Sequence, residues 1–144
     1  MTPQERAERS AQAMWADDTA SQQMGFVIDH VGPGTATLSF TVEDRFLNGH
    51  GICHGGFIFT LADSAFAFAC NSYNTLVVAQ ENSITYLSPG QAGERLIATA
   101  VEAARAGRSG VYDVTVTGED GRKVALFRGL SRQISGQHFE ESEP

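Results

Sequence analysis

Between Cys53 and Asn71 the chain reads C-H-G-G-F-I-F-T-L-A-D-S-A-F-A-F-A-C-N, and after the two glycines nearly every position is apolar or small. The stretch is long enough for about five helical turns. Phe57, Leu61, Ala65 and Phe68 recur at helical spacing, and Phe59, Ala62, Phe66 and Ala69 cover the adjacent face. A helix apolar all round is buried all round. With Asp63 inside it and fewer than about 20 residues, it is too polar and too short to span a membrane. The pattern predicts one core helix enclosed by something large.

The remaining periodicity is mostly two. Residues 25–30 and 34–42 read as strands joined by V-G-P-G; in the second, Ala36, Leu38, Phe40 and Val42 alternate with threonines and a serine, the mark of a half-buried antiparallel strand. After the core helix come four more strands, over 75–87, 95–104, 109–117 and 122–134, separated by S-P-G, R-A-G-R and G-E-D-G turns. Between the second strand and the helix, E-D-R-F-L-N-G-H-G-I breaks all periodicity. At the start, residues 2–24 read as one surface helix, capped by Thr2, with Pro3 at its first position and Glu5 reaching back. Residues 137–144 read as a frayed acidic tail with a solvent-facing His138. The expectation is a single α+β domain over 1–144: a curled antiparallel sheet wrapped around one long central helix. Such a sheet has free edges, and joining them across a homodimer is one remedy.

Composition narrows the classes. The 144 residues carry a formal charge of -7, which disfavours nucleic acid as a partner. No GxGxxG or Walker-type loop is present. The start of the chain is polar and charged, without the pattern of a signal peptide, so a cytoplasmic location is expected. Cys53 and Cys70 lie near opposite ends of the predicted helix, about 25 Å apart, beyond disulfide reach.

The chemistry gathers at the helix start. Gly55 and Gly56 offer N–H groups without intrahelical partners at the positive end of the helix dipole, the requirement of an oxyanion hole; a tight entry turn is the plain alternative. Asp63 is a carboxylate in an apolar helix, costly without a partner or a task; a structural acceptor is the alternative. Gly55 and Asp63 are separated by about 12 Å along the axis, so one helix cannot bring both to one small reacting group. Two antiparallel copies across a two-fold axis place the acid of one chain opposite the glycine of the other. Asn48 and His54 either touch the substrate or brace the loop. His50, Cys53 and His54 supply at most three clustered metal ligands, and the zinc-deaminase pattern is absent. There is no G-x-S-x-G elbow, and Cys53 lacks a clear base to activate it as a nucleophile.

The segment N-G-H-G-I-C-H-G-G-F-I-F-T-L-A-D-S-A-F-A, with I-T-Y-L-S-P-G, G-V-Y-D and V-A-L-F-R-G, resembles the hotdog-fold acyl-CoA thioesterases, specifically the PaaI-type phenylacetyl-CoA thioesterases, over about Met14 to Gly136. The resemblance implies the hotdog fold and dimers that pair into tetramers. It implies that the Gly55 N–H polarises a thioester carbonyl with Gly56 beside it, that Asp63 is a catalytic carboxylate given by the partner chain, and that Asn48 and His54 lie at the thioester. It implies no cofactor, coenzyme A being part of the substrate. Arg105, Arg108, Arg128 and Arg132 are then candidates for its phosphates, and Phe57, Phe59, Phe66 and Tyr86 for the acyl chamber. Asp63 acts as general base on water or attacks directly to give a mixed anhydride. A hotdog-fold dehydratase and a non-catalytic acyl-CoA binder are the competing readings.

Overall fold

Six strands and one long helix form where the periodicity places them. The computed structural model describes residues 1–141. Helix α1 spans Pro3–Asp17 and α2 Thr19–Gln23; strands β1 (Val27–Gly32) and β2 (Thr35–Thr41) follow, then a 3-10 turn at Asp44–Phe46 and helix α3 at Gly55–Cys70. Strands β3 (Val77–Tyr86), β4 (Arg95–Ala106), β5 (Ser109–Thr117) and β6 (Lys123–Gln133) complete the chain. The sheet is antiparallel throughout in the order β1-β2-β4-β5-β6-β3, so β1 and β3 are its edges.

Helix α3 contacts all six strands. Six strands laid flat span roughly 24 Å, against a helix diameter of about 10 Å, so contact with every strand requires the sheet to curl. The inward positions suit this. Ala36, Ala98 and Ala100 are fully buried beneath the helix, with Leu38, Leu96, Val114, Val116 and Phe127 around them. At Gly129 of β6 a Cβ would stand 2.7 Å from the Phe66 ring, so this glycine makes room for a fully buried aromatic side chain of the helix. A run of aromatic contacts, Phe26 to Phe40 to Phe46 to Phe57, with ring centroids 5.3, 5.4 and 4.8 Å apart, ties the entry to β1 and strand β2 to the irregular crossing and the start of α3.

The burial of α3 is not complete on every side, as its composition led one to expect. Gly56 is exposed, and Thr60, Asp63 and Ala67 are half-covered. At spacings of four, three and four they form one stripe that the sheet covers only in part.

The two ends of the chain differ from expectation. The capping box at Thr2 and Glu5 forms, with bonds of 3.1 and 2.8 Å. The helix expected over 2–24 breaks at Asp18, whose backbone is non-helical and whose carboxylate accepts from Ser21 N (3.0 Å) and Ser21 Oγ (2.7 Å), starting a second helix. Residues 138–141 are not frayed, and His138 does not face solvent. Its Nε2 lies 2.8 Å from Asn71 Oδ1 and 3.2 Å from the Thr75 carbonyl. Asn74 Nδ2 donates to the Phe139 carbonyl (3.0 Å), Arg6 pairs with Glu141 (2.7 Å), and the Arg9 guanidinium covers the Phe139 ring at 4.2 Å. Asn71 and Asn74, in the loop after α3, offer amide groups that this segment satisfies. Residues 142–144 of the expected tail lie outside the described residues.

Candidate active site

The start of α3 is held by three neighbours. His54 is its N-cap, and His54 Nδ1 accepts the Gly56 N–H at 3.0 Å. The His54 N–H donates to the Phe46 carbonyl (2.8 Å), and its carbonyl accepts from Phe57 N (3.0 Å). On the opposite side the Tyr86 hydroxyl donates to the Gly55 carbonyl at 2.8 Å. The Gly55–Gly56 peptide is thus gripped at both its C=O and its N–H. Of the two N–H groups expected to be available, only that of Gly55 has no partner among the described residues. The His54 Nδ1 is committed to this bond rather than free.

Gly55 opens onto a cavity of about 390 Å³ lined by Asn48, Ile58, Tyr86, Leu87, Ser88 and Pro89 among others. Asn48 turns the loop: its Oδ1 accepts from His50 N (2.9 Å) and Ile52 N (3.4 Å), which leaves its Nδ2 for the cavity. Cys53 is buried, and burial pushes its thiol pKa up to about 11, which favours the unreactive thiol form near neutral pH. Among the described residues no group of three or more His, Cys, Asp or Glu side chains is placed to hold a metal.

Asp63 lies on the open stripe of α3, two turns beyond Gly55, and does not line the Gly55 cavity. Burial raises its pKa; a hydrogen bond from Asn82 Nδ2 (3.1 Å) opposes this, and the charge of Asp18 adds to it. Asp18 stands behind α3 through Ser21, whose Oγ is 2.9 Å from Ser64 Oγ. Asn82 was not singled out from the sequence. The available signal was an amide beside Ile84 in a strand, where asparagine is uncommon. Tyr86 was singled out as a chamber residue, and its bond to the Gly55 carbonyl is additional.

The arginines divide. Arg105 and Arg108 flank the β4–β5 turn, and Arg132 of the neighbouring strand β6 reaches its edge, with Nη1 3.4 Å from Ser109 Oγ across the β5–β6 pair. Arg105 also pairs with Glu102 (3.0 Å) and lies 3.7 Å over the Tyr73 ring. Arg128 stands apart on the outer face of the sheet, forked onto Asp113 by bonds of 2.7 and 2.9 Å. The Arg105 and Arg108 turn borders a small recess with Cys70 and Tyr73, at the opposite end of α3 from Gly55. Of the expected chamber aromatics, Tyr86 lines the cavity, whereas Phe66 is core, packed against Tyr112 and Phe127.

The family model of the thioesterase superfamily matches residues 50–125. The acyl-coenzyme A thioesterase PaaI of Escherichia coli K12 is 42% identical over 131 residues, covering 91% of this chain and 94% of that protein. The solved structure of the E. coli PaaI protein from the phenylacetic acid degradation operon superposes with a TM-score of 0.93 at 40% identity, over 94% of this chain and 99% of that one. A Streptococcus mutans UA159 protein, smu.793, solved bound to acetyl CoA, gives a TM-score of 0.75 at 28% identity, over 78% and 90% of the two chains. A glycine-led helix inside a curled sheet, a free amide at its start and likeness along nearly the whole length agree: the chain belongs to the thioesterase superfamily, as a hotdog-fold acyl-CoA thioesterase of the PaaI family.

Proposed function

We propose that this acyl-CoA thioesterase acts on arylacetyl thioesters, phenylacetyl-CoA foremost, at sites each built from two chains. One observation carries the reading: Gly55, whose N–H at the positive end of α3 has no partner among the described residues, lines a mostly apolar cavity, while the helix's one carboxylate lies two turns away on a stripe that the sheet covers only in part. Gly56, Thr60 and Ala67 on that stripe are small, so a second, antiparallel α3 has room to approach. Such packing sets Asp63 of each chain against Gly55 of the other and joins the free β3 edges. Two such dimers pair into a tetramer.

The thioester carbonyl accepts the Gly55 N–H, and the aryl group rests against Ile58, Tyr86, Leu87 and Pro89. The partner's Asp63 takes a proton from water as it adds to the carbonyl, or attacks to form a mixed anhydride that water then opens. In either route the tetrahedral intermediate collapses with loss of the coenzyme A thiolate. Asn48 Nδ2 orients the water or the carbonyl. Asp63 stands about 10 Å along α3 from Cys70, beside which lie Arg105 and Arg108, so a substrate between one chain's Asp63 and the partner's Gly55 has these arginines within reach of its phosphates. Arg132, beside Ser109 on the exposed face of β6, borders that turn without lining its recess, and Arg128 is bound elsewhere.

The experiment is a panel of aryl, hydroxylated aryl and aliphatic acyl-CoA substrates, with free thiol and product both measured. Stoichiometric coenzyme A release, highest with arylacetyl groups and abolished in Asp63→Ala, is expected. An enoyl thioester product would indicate a dehydratase, binding without turnover a carrier, and faster turnover of aliphatic substrates would overturn the arylacetyl assignment.

A further inference from the structure

Asn82 is carried on the edge strand β3, and its Nδ2 donates to Asp63 Oδ1 across 3.1 Å. Its own Oδ1 is enclosed and without a hydrogen-bond partner among the described residues. An enclosed carbonyl with no donor costs stability that an apolar side chain of the same size would not. The packing does not call for an amide here: the next inward residue on the strand is Ile84, and the cross-strand neighbours are Gly129 and Phe127. The donor toward Asp63 is what the amide supplies. Asp63 Oδ2, by contrast, has no partner among the described residues and is not enclosed.

We propose that Asn82 is a positioning residue for Asp63, its strand-borne amide holding Oδ1 so that Oδ2 is presented to the reacting water. The inference rests on the reading of Asp63 as the catalytic carboxylate. A hydrogen bond to the ionised form favours that form, so Asn82 also opposes the burial and the Asp18 charge that favour the neutral acid. The other groups facing this part of α3 are few. Asp18 approaches from the α1–α2 junction through Ser21 and Ser64, and Cys70 follows on the helix itself. The inward residues Leu38, Ala98, Val114 and Phe127 carry no charge, and Tyr112 donates to Glu102 toward the far end of the helix.

The test is the pH profile of kcat/KM, followed by loss of an arylacetyl thioester, for the wild type, Asn82→Leu and Asn82→Ser. Asn82→Leu keeps the shape and removes the donor. Its acid limb is expected to move up by about one pH unit, so that activity falls about tenfold more on the acid side than on the plateau. Asn82→Ser, with a shorter donor, falls between the two. An acid limb that does not move in Asn82→Leu overturns the proposal, whatever the change in plateau. Should Asn82→Leu not fold, an unmoved limb in Asn82→Ser overturns it equally. Asp63→Asn separates the two ideas: turnover in that variant removes the reading of Asp63, whereas an inactive Asp63→Asn with an unmoved limb in the Asn82 variants removes the role of Asn82 alone.

Discussion

Tyr86 donates its hydroxyl to the Gly55 carbonyl at 2.8 Å and lays its ring where a side chain on Gly55 would stand: a Cβ there falls 3.0 Å from both Cζ and the hydroxyl oxygen. The glycine is therefore required by a residue of a different element, 31 positions away in the chain. Gly55→Ala is expected to displace the ring and turn the free amide from its line, lowering kcat about 10²-fold, the loss typical of an oxyanion donor. In a Tyr86→Ala background the same substitution costs less, because the ring it strikes is gone. Steady-state kinetics of the four-member cycle decide it; equal losses in both backgrounds would show that the contact does not matter.

Asp63→Asn is expected to end turnover and raise stability together. Burial raises the folded-state pKa of Asp63, so the folded chain holds this proton more tightly than the unfolded chain. Its contribution is favourable below the unfolded pKa, diminishes as pH rises through the window between the two values, and becomes a cost at neutral pH. The amide carries no charge to desolvate. A rise in Tm of roughly 2–5 °C at neutral pH, shrinking toward low pH, is the expected outcome in thermal melts. A lower Tm at neutral pH contradicts it.

Arg122 braces one wall of the Gly55 cavity. Its guanidinium donates to the Pro89 carbonyl (2.8 Å), Ser88 Oγ (3.1 Å) and both oxygens of Glu94 (2.8 and 3.0 Å). Arg122→Ala frees the Ser88–Pro89 turn, and KM is expected to rise several-fold with a smaller change in kcat. The Arg122 hydrogen bond holds the Glu94 pKa below its ordinary value, so the pair stabilises the fold above the ordinary carboxylate range and loses this effect as pH falls through the lowered pKa. Acid unfolding of the variant is expected to show a shallower dependence on pH in that window.

His138 links the end of the chain to the loop after α3. Burial lowers its pKa below 6.5, so the folded state favours the neutral ring and the unfolded state binds the proton first. Its contacts with Asn71 and Thr75 therefore favour folding above the unfolded pKa and lose that effect as pH falls from it through the lowered folded value. In His138→Ala this part of the pH dependence of Tm is expected to vanish, with turnover at neutral pH unchanged. Melts across the mildly acid range check the first point and thiol release the second.

The two sets of arginines are expected to behave differently. Arg108→Ala raises KM for an acyl-CoA several-fold but leaves an acyl-pantetheine, which lacks the nucleotide phosphates, unaffected. Arg128→Ala changes neither, because its guanidinium is committed to Asp113 on the outer face of the sheet. Equal KM changes for the two thioesters in Arg108→Ala would detach the β4–β5 turn from phosphate recognition.

Most of the architecture was legible along the chain because it rests on local periodicity. The alternation from Thr35 to Thr41 has one way to bury Ala36, Leu38 and Phe40, and the run from Gly55 to Cys70 is apolar enough to require enclosure. The Thr2 cap, Gly55 at the start of the core helix and Asp63 inside it were likewise visible as single residues in telling places. The interruption at Asp18 and the anchored segment around His138 were not, since each depends on which side chains come within hydrogen-bond reach. The same holds at the site. Local spacing shows that two glycine amides open the helix; only the folded chain shows that His54 takes one and leaves the other free. Asn82 reaches Asp63 across 19 positions and Arg122 reaches the cavity wall across more than 30. Sequence periodicity determines which face of an element is buried, but the pairing of individual polar groups between elements is decided by distances that exist only once the sheet has closed around the helix.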